Sequence, residues 1–167
     1  MKIVSLIPSA TEIVESLGLT EYLVGVSHEC DSSEKILNLP KLTKSNIKVN
    51  IKSNDININV EKVLRLGLSV YEVKVKLLKQ LMPDVIITQS QCEVCAVSLN
   101  QVKYSLENWL GKKPKLIDLK PNNFNDVIND IDKIGNELNV SNKSNLTISR
   151  IIKNVNFIKN ITSSYTK

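Results

Sequence analysis

One histidine and three cysteines are the side chains of this chain best suited to holding a metal or moving electrons, and they fall in two short stretches. His28-x-Cys30 lies in a polar run from Ser27 to Ser33, and Cys92-x-x-Cys95 follows Gln89, Ser90 and Gln91. If the two stretches converge, His28, Cys30, Cys92 and Cys95 supply the three-thiolate, one-imidazole set that tetrahedral zinc accepts in closed sites. Two other readings stand beside that one. Cysteines that open a helix pack as small apolar residues, and a thiol at a helix amino terminus has the lowered pKa of a redox dithiol. His28 also has a plain reading, a loop imidazole satisfied by Glu29 or Asp31. Glu107 and Glu137 read as solvated helix-face charges. With no spaced acid pair and no Ser/His/Asp arrangement, the expectation is a protein that binds and does not catalyse.

Both stretches follow what reads as a strand. Val85, Ile86, Ile87 and Thr88 form a β-branched run entered from Pro83-Asp84, and Leu23 to Val26 form another. A third begins at Ile3 and ends at Pro8, after which Ser9-Ala-Thr-Glu12 reads as a capping box opening a helix. Ile13, Val14 and Leu17 share one face of that helix, and Gly18 stops it. In an open parallel sheet, ligands bind just past the carboxyl ends of the strands. The Pro8-Ser9 turn, the loop from Ser27 and the loop from Gln89 therefore belong to one edge.

Further along, residues 44–59 read as a mobile loop, 60–66 as a short helix closed by Gly67, 68–73 as an extended piece and 75–81 as a helix. Val97, Val102, Leu106 and Leu110 keep helical spacing up to Gly111, and residues 115–119 make a strand. Alternating strands and helices predict an α/β fold, a Rossmann-like, mostly parallel doubly wound sheet. From Phe124 the pattern changes to a long amphipathic helix, with a break near residues 139–144 and helical spacing again from Leu146 to Ile158.

The totals narrow the class. A chain of 167 residues suits one domain. Its net charge of +5 is nearly all lysine, with Arg65 and Arg150 the only arginines, so nucleic acid is a poor partner. Aromatic residues are only 4% of the chain, leaving few rings to stack on a ligand. Three cysteines cannot all pair within the chain, which suits a reducing compartment. The apolar run at the amino terminus is too short for a signal peptide and nothing approaches a bilayer span, so the expectation is cytoplasmic, without membrane insertion. If a signal has been removed, the alternative is periplasmic or surface-anchored.

Five phrases carry a family resemblance: Ile3-Val-Ser-Leu-Ile-Pro-Ser-Ala-Thr-Glu12, Val24-Gly-Val-Ser-His-Glu-Cys-Asp31, Gly67-Leu-Ser-Val-Tyr71, Leu81-Met-Pro-Asp-Val-Ile-Ile-Thr-Gln89 and Gln91-Cys-Glu-Val-Cys-Ala-Val-Ser98. In order and spacing they closely resemble the cobalamin-binding branch of the helical-backbone periplasmic binding proteins, which serve ABC importers of corrinoids, haem and iron siderophores. The resemblance implies two α/β lobes joined by one backbone helix, with the ligand between them. This chain then corresponds to the amino-terminal lobe at residues 1–121 and the backbone helix at 122–163, with the second lobe absent. It implies a cobalamin-like or other metal-chelate ligand contacted by Pro8, Ser9, Ser27, His28, Glu29, Tyr71, Gln89 and Gln91, with zinc as a further candidate at the cysteines. The implied partners are an ABC permease and, through the apolar face of the long helix, a second copy of the chain. Lys76 departs from the pattern, because the family presents there an acid that docks on permease arginines, and a reversed charge works against that docking. The competing expectation is a cytoplasmic metal-binding or thiol redox module built on His28, Cys30, Cys92 and Cys95.

Overall fold

The computed structural model describes residues 1–46, 70–90, 99–107, 109 and 111–163. Within them, β1 (Ile3–Ser5), β2 (Leu23–Val26), β5 (Val85–Gln89) and β6 (Lys115–Leu119) form one parallel sheet in the order β2-β1-β5-β6. Because β1 pairs with its successor β2 on one side and with β5 on the other, the strand order reverses between β1 and β5. In such sheets that crevice, at the carboxyl edge, is where ligands lodge. A separate antiparallel pair joins β3 (Thr43–Ser45) to β4 (Tyr71–Val73).

The helices are α1 (Pro8–Ser16), the single-turn α2 (Glu34–Leu37), α3 (Val75–Leu81), α4 (Leu99–Glu107), α5 (Phe124–Glu137) and α6 (Ser141–Ser163). Period-two alternation sorts the strand side chains into two layers. Ile3, Val85, Ile87 and Ile117 pack with Ala10 and Val14 of α1 and with Ile131 and Ile134 of α5. Val4, Ile86 and Leu116 face the other way, toward Leu78 of α3, Val102 of α4 and Trp109. Helices therefore cover both faces, as the doubly wound pattern predicts. Ile86 and Ile87, fully buried on opposite faces, each contribute roughly 1.5–3 kcal/mol of apolar burial.

Two expectations change. Ser9 is not a helix cap: Pro8 is the first helical residue, Ile7 is the N-cap with extended backbone, and no side chain caps the helix. Proline at that position supplies the helical φ and has no N–H to satisfy, while Thr11 turns its hydroxyl back to Ile7 O at 3.2 Å and Ser5 Oγ at 2.8 Å. Lys44 and Ser45 are strand, not loop, because they pair with Glu72 and Tyr71. Residues 47–59 of the expected loop and the helix expected at 60–66 lie outside the described residues.

The chain after Phe124 forms two helices, and the break has a local cause. Asn139 takes a left-handed φ of 59°; its N–H bonds Asn136 O at 3.1 Å and the next, from Val140, bonds Gly135 O at 2.7 Å. That is a Schellman stop with asparagine in the glycine place. Gly18 ends α1 in the same way at φ 65°, as the sequence predicts. Where α6 folds back on α5, a Cβ added to Gly135 would lie 2.4 Å from Ser144 Cβ, so only glycine lets the helices approach this closely. Thr147 Oγ1 donates to Ser16 O at 3.3 Å and ties α6 to the end of α1. Beyond that turn, α6 leaves Phe157, Ile158 and Ile161 exposed.

Candidate functional site

The parallel sheet carries the ends of β1, β2 and β5 to one edge, and the candidate residues follow each. After β1 come Pro8 and Ser9 in the first turn of α1, half-buried and exposed respectively. Pro8 has no N–H and Thr11 N–H bonds Ile7 O at 3.2 Å, so Ser9 and Ala10 N–H are the donors that α1 itself leaves unused. They stand at the positive end of the helix dipole. Gln89, the last residue of β5, is half-buried at the same edge.

The loop after β2 is the most organised part. Residues 40–42 run beside β2: Val26 N–H bonds Pro40 O at 3.0 Å and Leu42 N–H bonds Val26 O at 2.8 Å. This brings the buried Thr43 against the loop. Thr43 Oγ1 lies 3.0 Å from Ser27 Oγ, accepts the His28 backbone N–H at 2.9 Å and lies 2.6 Å from His28 Nδ1. Across the ring stands Tyr71 of β4, centroids 5.3 Å apart and tilted 60°, a geometry aromatic pairs favour. The Tyr71 hydroxyl donates to Glu29 Oε1 at 2.7 Å. Lys41 Nζ holds the same loop through Cys30 O at 2.7 Å and Ile36 O at 3.1 Å, while Ser33 Oγ donates to Glu15 Oε1 of α1 at 2.8 Å.

Four of the expected site residues are thus brought together: Ser27, His28, Glu29 and Tyr71. Ser27 is 3% exposed with its hydroxyl turned to Thr43, so it holds its neighbours in place. The imidazole's partner is the Thr43 hydroxyl and not Glu29 or Asp31. Thr43 is the residue that sequence reasoning misses; its only outward signal is a buried β-branched position on the strand entered from Pro40. Cys30 goes elsewhere. It is 2% exposed and packs in the layer of α1 and α5, with Sγ 3.1 Å from Thr11 Oγ1. Burial, above all, raises its thiol pKa, against the lowering effect of the Thr11 contact. Gln91, Cys92 and Cys95 lie outside the described residues, and the described residues contain no group of three His, Cys, Asp or Glu side chains placed for a metal.

A second feature flanks this edge. Asp118 of β6, with Lys120, Asp126, Asn129, Asp130 and Lys133, lines an open hollow of about 380 Å³. Ser90 Oγ donates to Asp118 Oδ2 at 2.7 Å, joining the end of β5 to it. Asp130 is buried, and that burial raises its carboxyl pKa, with Lys133 opposing and Asp126 and Asp118 adding to the shift. Glu137, expected as a solvated helix-face charge, pairs with Lys115 at the start of β6.

No protein-family model and no curated protein matches the chain. Solved structures do. A Staphylococcus epidermidis structure described as a possible iron-binding, periplasmic solute-binding protein matches with a TM-score of 0.68 at 21% identity, over 95% of this chain and 50% of that one. The periplasmic heme-binding protein of Vibrio cholerae matches at 0.67 with 15% identity, over 95% and 49%. The periplasmic vitamin B12-binding protein of the same organism matches at 0.61 with 20% identity, over 98% and 51%. The chain spans about half the length of each. What it shares with them is the fold of a periplasmic solute-binding protein lobe, a parallel α/β sheet with helices on both faces.

Proposed function

We propose that this chain is a binding lobe of a helical-backbone solute-binding protein, and that it takes a metal chelate of the corrinoid or haem class without altering it chemically. The observation that carries this is the organised cluster of His28, Tyr71 and Glu29 beside the Pro8-Ser9 turn and Gln89, on the sheet edge where parallel α/β folds take ligands. Support for the ligand class comes from the fold neighbours, whose names speak of iron, heme and vitamin B12. Pro8, Ser9, His28, Glu29, Tyr71 and Gln89 are the contacts in this proposal, with residues 1–121 as the lobe and 122–163 as the connecting helices.

Those neighbours are named periplasmic, which favours the exported alternative over a cytoplasmic protein. Among the described residues no helix is long and apolar enough to cross a membrane. An ABC permease is the partner class implied, and Lys76, exposed on α3, asks for an acidic docking surface there. The apolar side chains exposed on α6 support a protein contact along that helix, by a second copy among others.

Visible absorbance and calorimetric titrations with cyanocobalamin, cobinamide and haemin test the proposal. Saturable binding of one of them, weakened by His28→Ala and Tyr71→Ala, is the expected result. No detectable binding of any of the three at high micromolar concentration overturns it.

A further inference from the structure

We infer that His28 meets its ligand as a hydrogen-bond donor, through an Nε2–H set by the Thr43 hydroxyl, and so grips the oxygen-bearing rim of a chelate instead of its metal. This deepens the binding proposed above and rests on it for the existence of the ligand; the position of the proton does not.

Hydrogen accounting leads to it. Among the described residues Ser27 Oγ has two polar neighbours, Thr43 Oγ1 at 3.0 Å and the Glu29 backbone N–H at 3.4 Å. The second is a donor, so the Ser27 hydrogen goes to Thr43. Thr43 Oγ1 also accepts the His28 backbone N–H at 2.9 Å, which fills both its lone pairs. Its own hydrogen then has one place to go, His28 Nδ1 at 2.6 Å. Nδ1 is therefore the bare nitrogen, and in the neutral ring Nε2 carries the proton.

The reversed chain runs from an Nδ1–H to Thr43 and from Thr43 to Ser27. It strands the Ser27 hydroxyl hydrogen in a position only 3% exposed. Buried hydroxyls without partners are rare because the lost hydration is not recovered. A metal-ligating imidazole needs that reversed chain, with one nitrogen bare toward the metal and the other donating to its support. The local hydroxyls thus disfavour coordination through Nε2. They favour an acceptor such as a carboxylate or carboxamide oxygen. The unused N–H groups of Ser9 and Ala10 at the same edge ask for the same kind of atom. Tyr71, packed across the ring with its hydroxyl on Glu29, keeps the imidazole from turning away.

Because His28 is the only histidine, nitrogen NMR of protein carrying isotope-labelled histidine reads this one ring. With the ring neutral, Nδ1 is expected at the pyridine-type limit and Nε2 at the pyrrole-type position. Thr43→Val is expected to move Nδ1 off that limit toward the mixture of a free imidazole. Adding equimolar zinc to the wild type is expected to leave both ring signals unmoved, whatever the cysteines bind. A pyrrole-type Nδ1, an unchanged ring in Thr43→Val, or a coordination shift of Nε2 with zinc each overturns the inference. The wild-type spectrum decides even if the variant does not fold. None of these readings needs the chelate, so failure of the binding titrations and failure of the tautomer are separate results.

Discussion

Replacing Thr43 by valine keeps the shape of a buried side chain and removes the oxygen on which three contacts converge. The contacts are Ser27 Oγ at 3.0 Å, His28 N–H at 2.9 Å and His28 Nδ1 at 2.6 Å. The Ser27 hydroxyl and the His28 N–H are then left without their acceptor, at about 1–3 kcal/mol each. The ring is half-exposed, so water can take the place of the threonine hydroxyl at Nδ1, and its loss is about 0.5–1 kcal/mol. Summed with allowance for relaxation, Thr43→Val should lower unfolding free energy by about 3 kcal/mol, a large share of the ~5–15 kcal/mol typical of a domain. Ser27→Ala removes one hydroxyl and leaves the Thr43–His28 bond in place, so about 1 kcal/mol is expected. In the S27A/T43V pair the stranded serine hydroxyl no longer exists, so the double variant should be less damaged than the two losses added, by about 1–2 kcal/mol. Urea unfolding followed by far-ultraviolet circular dichroism measures all three. A Thr43→Val variant within about 0.5 kcal/mol of wild type, or strict additivity in the pair, would refute the hydrogen-bond accounting.

Three further outcomes follow from other parts of the fold. Gly135→Ala should destabilise by about 1–3 kcal/mol through overpacking against Ser144, and Ser144→Gly in the same chain should restore most of the loss in a urea titration. Because burial holds the Asp130 pKa above its unfolded value of 3.8, its effect on stability is most favourable below that pH and is lost as pH rises through the folded pKa. Asp130→Asn should therefore be more stable than wild type at neutral pH, with the gap closing in acid, as chemical denaturation across pH would record. Cys30, buried and with its thiol pKa raised, should resist alkylation in the native protein and react once urea unfolds it, read by peptide mass spectrometry.

The strands were legible because β-branched runs such as Val85 to Thr88 have no other comfortable home, and the stop at Gly18 because a left-handed residue there costs glycine little. The helix start at Pro8 was misread. Ser9 and Glu12 match a capping box in letters, yet proline one residue earlier already occupies the first helical position, and pattern spacing does not weigh the two signals against each other. The short helix α2 went unseen, four residues being too few to show a period. At the site, Ser27 and His28 could be placed because they follow a strand directly. Tyr71 was named only through the family resemblance and Thr43 not at all, because both reach the site through the pairing of β3 with β4, a non-local contact that no local pattern encodes. Cys30 lay in the right loop for a metal but turned into the core, because the turn closed by its N–H on Ser27 O at 3.2 Å brings its Sγ against Thr11 Oγ1 of α1.

The turn at Asn139 has a mechanical consequence. With the Thr147–Ser16 bond, it clamps the base of α6 by two backbone hydrogen bonds and the Gly135–Ser144 approach, while the 23 residues of α6 extend for about 34 Å at ~1.5 Å each. A helix held at one end is a lever. A tilt of about 10° at the clamp would displace its far end by roughly 6 Å over that length, so small atoms at one crossing point set the aim of everything at the tip. Enlarging Gly135 would then do more than cost stability: it would redirect the helix, and any surface that reads its far end would register the change before the sheet does.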